Sequence, residues 1–468
     1  MAAVALSCSY SGSALAQETT DKPFRLDEAL ETDPILRFGL EHRIRFEHLA
    51  NDFRAGLDTS STGLFLRTLL SAELTLEPLF LGAELQDSRA YVTDDTPVNQ
   101  GLTNPFELLQ GYVGLRFRGA FQPEDALSLK VGRMTLDLSR VPMKTSTVER
   151  ATRRLIARND FRNTINGFNG IDLHWRSRED HFVRFLAAFP VTRLPSVEEE
   201  LRSNDVVFDV ENVNALLWSA FYSSPEFLSG ARVDGYVVGL AESDAPDLDS
   251  ANRRLVTPGL RFYRAPAPNE LDFQIETMLQ LGTSRASNKP EDIQDLRHIA
   301  ASTAVAVGYQ VAAPWKPRLA VLYDFASGDE SPYDELNNRF DPLFGARRFD
   351  FGPTSLYGAL ARVNLHSPGV RFEITPHRVL DAFVAYRLAW LASSTDAWTS
   401  AQLSDKSGEA GSFVGAQLEG RVRYQPFPRN LAFEVGGALF SRGDLPREAE
   451  GGRSEPAVYG YTQITGAL

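Results

Sequence analysis

The chain has 468 residues, 43% of them hydrophobic, yet its mean hydropathy is only −0.23. No uncharged apolar run reaches the roughly 18 residues that a helix needs to cross a bilayer, so a helical membrane protein is excluded. A net charge of −13 excludes a nucleic-acid partner, because that binding works by displacing counterions with a basic surface.

From the N-terminus, residues 1–16 are small, apolar and uncharged, and they close on Ala14-Leu15-Ala16, the small-x-small pattern that signal peptidase cuts. A Sec-type signal peptide over 1–16 predicts export. The one cysteine, Cys8, falls inside that segment, so the exported product offers no thiol for a disulfide or a zinc site. Residues 17–34 read as a periplasmic N-terminal segment and 35–468 as one body, since no shift of composition divides the rest.

From Leu36 the pattern is alternation. Leu36, Phe38, Leu40, Ile44 and Phe46 are apolar, while Arg37, Glu41, Arg43, Arg45 and Glu47 are charged. A strand with one face to lipid and the other to water sorts residues in this way. After the turn-rich segment Ser243–Asn252, alternation returns in Leu271, Phe273, Ile275, Leu279 and Leu281 against Asp272, Gln274, Glu276 and Gln280. The apolar run Ile299–Trp315 is short, β-branched and interrupted by Gly308, Gln310 and Pro314, which predicts a strand rather than a membrane helix. A long connection, Ser327–Pro353, precedes alternation in Leu380–Trp390. Beyond the loop Ser404–Ser412 it recurs in Val414–Tyr424 and Leu431–Leu439. Aromatic residues near strand ends (Phe80, Tyr91, Tyr112, Tyr222, Tyr263, Tyr386, Trp390 and Tyr424) suggest an interfacial girdle.

At about 25 residues per strand with its connection, this predicts an all-β fold: a closed antiparallel transmembrane β-barrel of roughly 18 strands, with 16 possible. Long loops belong on its extracellular side, and a barrel that wide is expected to enclose an aqueous channel rather than a packed core. The predicted home is the outer membrane, in contact with its lipid and lipopolysaccharide. A closed barrel has no free sheet edge, so a monomer is expected.

By the same alternation Arg37, Arg43, Arg45, Arg67, Arg362, Arg387, Arg421 and Arg423 point into the lumen, with Glu41, Glu47, Glu73, Glu84, Asp172 and Glu419 on the same face. Arginine suits a path for carboxylates because its planar fork binds them bidentately and stays charged. Such rows also brace the wall of any wide barrel. The histidines His42, His48, His174, His181, His298, His366 and His377 show no metal-ligand spacing, and Asp324–Asp341 lacks the spacing of a calcium loop. No nucleophile elbow or phosphate loop occurs. No metal, cofactor or catalytic group is therefore expected.

Five stretches fall in a common order. They are Glu84-Leu85-Gln86-Asp87-Ser88-Arg89, Leu129–Gly170, Arg339–Asn364, Trp390 with Asp396-Ala397-Trp398, and Gly411–Glu419. Together the sequence resembles the alginate export porin family over most of the mature chain. The resemblance implies an outer-membrane barrel of eighteen strands, whose arginine-rich constriction passes a polyuronate outward in company with a periplasmic secretion machinery. It points to Arg133, Arg153, Arg154 and Arg158 in the first long block and to Arg339, Arg347 and Arg348 in the second. Strict alternation puts Arg133 on the face of Leu129 and Val131, so it reaches the lumen only across a bulge or above the membrane. The function expected is passive export of an anionic, alginate-like polysaccharide. The alternative on the same fold is a general or small-solute porin. An outer-membrane hydrolase or a soluble β-rich secreted protein would belong to other classes, and no motif nominates a catalytic group.

Overall fold

The computed structural model describes residues 24–26, 35–57, 60–139, 151–245, 249–331, 333–449 and 454–468. The expected signal peptide at 1–16, most of the segment 17–34, and residues 140–150 of the Leu129–Gly170 block lie outside the described residues.

Among the described residues, 18 strands make one closed antiparallel barrel. They are β1 (Leu36–Ala50), β2 (Ser61–Leu76), β3 (Leu79–Val92), β4 (Asn104–Arg118), β5 (Ala126–Met134), β6 (Phe168–Arg176), β7 (Phe182–Thr192), β8 (Ala215–Ser223) and β9 (Ala231–Glu242), then β10 (Arg254–Arg264), β11 (Glu270–Ser284), β12 (Leu296–Gln310), β13 (Arg318–Ala326), β14 (Leu365–His377), β15 (Leu380–Trp390), β16 (Phe413–Phe427), β17 (Leu431–Arg442) and β18 (Ala457–Ala467). Each pairs with its neighbour in sequence. The first and last close the ring, in a register running from Glu41 opposite Ala467 to Ala50 opposite Val458.

Short turns such as 77–78, 378–379 and 428–430 gather at one end, and long connections such as 135–167, 193–214, 327–364 and 391–412 at the other. In barrels of this kind the short turns are periplasmic and the long loops extracellular. At the short-turn end Phe24 exchanges two hydrogen bonds with Asn430, each 2.7 Å.

Alternation holds as expected on β1. Ile44 and Phe46 are exposed outward, while Arg43, Arg45 and Glu47 are buried inward. The girdle needs correcting. Tyr91, Tyr222, Tyr386 and Tyr424 are exposed on the outside, but Phe80 and Tyr263 are buried and Tyr112 turns inward to Glu73. They share the inner face of their strands because their positions have the parity of Glu84, Arg261 and Gln110, and parity outranks aromatic character.

The lumen departs further from expectation, because two long loops fold into it. Leu136, Leu138, Leu155 and Ile156 of the β5–β6 loop pack on Phe182, Phe221, Tyr236 and Met278 of the wall. Phe351, Leu356, Tyr357 and Leu360 of the β13–β14 loop pack on Leu49, Phe65, Trp398 and Phe440. The lumen is therefore in part a packed interior: the β13–β14 cluster fills the long-loop end, while the β5–β6 cluster reaches Phe182 and Phe221 beside the short turns.

Candidate functional site

The two inward loops meet in the middle. Ala157 donates to the Phe344 carbonyl at 3.1 Å, Phe344 donates to the Leu155 carbonyl at 2.9 Å, and Ala346 donates to the Arg153 carbonyl at 2.9 Å. Gly345 permits this approach, since a Cβ there would overlap the carbonyl oxygen of Arg154. The joined segments form a partition across the lumen. Asp160, Phe161, Arg348 and Phe349 face a chamber of about 510 Å³ on the periplasmic side. Arg162 and Arg347 face a chamber of about 500 Å³ under the long loops.

The wall holds this partition by backbone. Arg43 donates to the Asp160 and Arg162 carbonyls, each at 2.7 Å, Arg67 donates to the Asp160 carbonyl at 2.9 Å, and Arg45 donates to the Phe161 carbonyl at 2.6 Å. Arg45 is fully buried and also grips Glu47 at 2.6 Å. The Phe161 ring lies between two guanidiniums, Arg45 at 4.4 Å and Arg348 at 4.7 Å, and meets Tyr461 edge-on. Cations over an aromatic face gain more when water is excluded.

The inward residues of β3 complete the anchorage. Glu84 pairs with Arg158 at 3.1 Å, Gln86 accepts from the Ile165 amide at 3.0 Å, and Ser88 donates to the Asn163 carbonyl at 2.7 Å. The short stretch Glu84–Arg89 and the loop of the first long block are thus one structural unit.

The residues singled out from sequence fall into groups. Arg43, Arg45, Arg67 and Arg158 hold the partition, and Glu41 braces Arg67 at 2.7 Å. Arg153 pairs with Asp137. Arg154 spans Glu276 and, at 3.0 Å, Asp350. Burial alone would lower Arg154, yet Asp350 and Glu276 together hold it above the ordinary arginine value. Arg339 pairs with Asp396, Arg348 with Glu419 at 2.6 Å, and Asp172 with Arg184 at 2.7 Å. Arg37 is exposed near the short-turn end. Arg362 belongs to the β13–β14 loop rather than to a strand, and pairs with Asp350. Arg133 stands opposite Gly111 and Asn169 on the outward register. It turns its guanidinium to Glu107 at 2.6 Å, to Asn169 and to the Leu108 carbonyl. A bulge does intervene, with Leu109 unpaired between Leu108 and Gln110, but on β4, and it leaves Arg133 bracing the wall.

The two chambers differ in charge. In the periplasmic one several cations are matched to acids: Arg371 and Arg318 share Glu373 at 2.7 and 2.6 Å, and Arg423 with Arg421 share Asp381. Among the described residues, no carboxylate lines the outer chamber, although Arg54, Arg162, Arg193, Arg347 and Arg362 do. Arg193 donates to Thr164 at 2.6 Å and Arg347 to Ser400 at 3.2 Å. Among the described residues, nothing accepts a hydrogen bond from the Arg162 guanidinium. Burial pulls Arg347 down to about 9, with the like charges of Arg162 and Arg54 adding to it. Burial pulls Arg193 down to about 10, with Arg162 adding. Sequence reading missed Arg162 and Arg193, which lie in loops without periodicity; Arg162 was inside a quoted block but was not separated from its neighbours.

A closed barrel with long loops at one end, an apolar outer belt and an ion-lined lumen is an outer-membrane channel. The profile of the alginate export family matches residues 35–459, nearly the whole chain, and the chain belongs to that family. A search of curated proteins finds no match. Solved structures of similar fold come from Pseudomonas aeruginosa. OccK9 (OpdG) has a TM-score of 0.55 at 12% identity, covering 92% of this chain and 98% of that one. OpdK with vanillate has 0.54 at 11%, covering 92% and 98%. OccK2 (OpdF) in complex with glucuronate has 0.53 at 11%, covering 92% and 96%. At such identities the likeness shows the fold alone.

Proposed function

We propose that this channel passes an anionic saccharide, an alginate-like polyuronate in the reading that family membership supports, by passive diffusion along guanidinium groups on both sides of the partition. The observation that carries the proposal is the outer chamber, where several arginines gather with no carboxylate lining it. A carboxylate leaving water must be met by donors, and an arginine-lined path supplies them without a covalent step or a cofactor. In the periplasmic chamber the paired acids keep a passing anion from binding too tightly to leave. The partition favours a second reading, passage of small anionic solutes, because the joined loops stand between the two chambers and narrow the path.

Single-channel conductance in a planar bilayer tests both. An anion-selective pore blocked by an oligouronate and not by a neutral oligosaccharide of equal length supports polyuronate passage. Selectivity with block by monomeric uronate only supports the second reading. An unselective pore indifferent to both overturns the proposal.

A further inference from the structure

On the outside of the barrel, three neighbouring strands line up a polar row at the long-loop end of the apolar belt. Arg254 on β10 stands opposite Thr283 on β11, and Thr283 opposite Arg297 on β12. The next outward row below is Val256, Leu281 and Ile299, all exposed, while the alternate row of Leu255, Gly282 and His298 belongs to the inner face. Both arginines are exposed. Parity therefore puts two guanidiniums and a hydroxyl on the lipid side, at the last rungs before the loops.

Charge on this face costs free energy unless something meets it. Arg89 and Arg133, also on outward positions of their strands, are met from within the chain, by Asp87 at 3.0 Å and Glu107 at 2.6 Å. Arg254 and Arg297 are not: among the described residues neither guanidinium has a hydrogen bond or an ion pair. Acids of the adjoining loops are engaged elsewhere, Asp244 with Arg285 at 2.8 Å and Asp295 with Asn252 at 2.8 Å. Glu335 meets Arg297 through its carbonyl, which accepts from the Arg297 amide at 2.9 Å.

Neighbouring strands lie about 4.8 Å apart, so the Cα atoms of the two arginines are about 10 Å apart, a span that two long side chains close on one tetrahedral anion. Gly282 keeps the strands tight here, since a Cβ on it would overlap the carbonyl oxygen of Arg254. Arginine forks suit phosphate oxygens, and the Thr283 hydroxyl between them adds a third donor. The apolar row underneath calls for more than a free ion. With the long loops outside the cell, this boundary is the level at which headgroups of the outer leaflet give way to acyl chains.

We infer that Arg254, Thr283 and Arg297 hold a phosphate of a phosphorylated glycolipid of the outer leaflet, the chemistry of lipid A, whose acyl chains lie along Val256, Leu281 and Ile299. The site is on the outer wall and stands independently of what the lumen conducts.

Native mass spectrometry of the full chain released from detergent micelles tests this, with diphosphoryl lipid A as the probe. The expected result is one lipid retained per chain, with retention about tenfold lower in the Arg254→Gln/Arg297→Gln double variant and unchanged in Arg89→Ala, whose arginine is already paired. Neither altered side chain is bonded to the described protein, so the double variant should fold and keep the heat-modifiable gel mobility of the wild type. A comparison on the wild type alone needs no variant: dephosphorylated lipid A should be retained about tenfold less, and excess inorganic phosphate should not displace the intact lipid. Unchanged retention in the double variant, or equal retention of the dephosphorylated lipid, overturns the inference. Displacement by inorganic phosphate would reduce the row to a simple anion site and overturn the lipid assignment.

Discussion

The outer and periplasmic halves of the lumen are built from the same wall and the same arginine-rich composition, yet they are solved differently. In the periplasmic half cations and carboxylates alternate across neighbouring strands, as with Arg318, Glu373 and Arg371, and the space between them stays open. In the outer half the β13–β14 loop brings its own apolar residues onto the wall, and the joined loops leave arginines facing a chamber that no described carboxylate lines. The contrast teaches that charge in a barrel lumen has two uses. Where it is matched it holds the wall, and where it is unmatched it is available to a solute.

The sharpest way to break this comparison is to remove an arginine at the boundary. Arg45→Ala leaves Glu47 buried without its partner and frees the Phe161 carbonyl, so it should lower stability by about 3–5 kcal/mol, read as the shift in a urea refolding midpoint in detergent micelles. Its periplasmic counterpart Arg371→Ala should cost only about 1–2 kcal/mol, since Glu373 keeps Arg318 at 2.6 Å and water reaches the site. Equal losses would mean that the two halves are not distinct. The partition itself is tested by Phe161→Ala, which removes the ring between Arg45 and Arg348. Conductance should rise about twofold or more, and no change would show that the ring does not obstruct the path.

The outer chamber also has a pH signature. Arg347 is lowered to about 9 by burial beside Arg162 and Arg54, so the folded state holds this proton less tightly than the unfolded chain does. Its charge therefore opposes folding below pH 9, and that penalty is relieved as pH rises from about 9 toward the unfolded value. Anion selectivity should move the opposite way, full below pH 9 and weakening as pH passes through it, measured as reversal potential against pH. An Arg347→Gln variant should be flat over the same range. The smallest effect belongs to the outer wall: Arg89→Ala removes a half-exposed pair with Asp87 at 3.0 Å and should cost under about 1 kcal/mol.

What could be read from sequence follows from what imposes a pattern. Lipid outside and water inside act on every second residue, so β1, β11, β15, β16 and β17 were legible from their apolar rows. Nothing comparable acts on the β5–β6 and β13–β14 loops, and their inward packing left no periodic trace. The same cause separates the candidate residues. Arg43, Arg45 and Arg67 were placed in the lumen by parity, but parity does not say that their donors end on the carbonyls of residues 160–162, because a backbone acceptor has no sequence signature. Arg362 was assigned to a strand face although it lies in a loop. The family blocks located the inward loops through resemblance, and the geometry then divided their arginines into those spent on acids and those left facing the chamber.

The partition is gripped by its carbonyl oxygens, a feature that every amino acid offers equally. The side chain of residue 162 can therefore change while the backbone anchorage from Arg43 and Arg67 stays intact, whereas Asp160 also pairs with Arg158 at 3.0 Å and the Phe161 ring lies against Arg45. A lineage carrying this barrel can refit its filter for another solute by single substitutions, changing what the pore admits without renegotiating how the loop is moored.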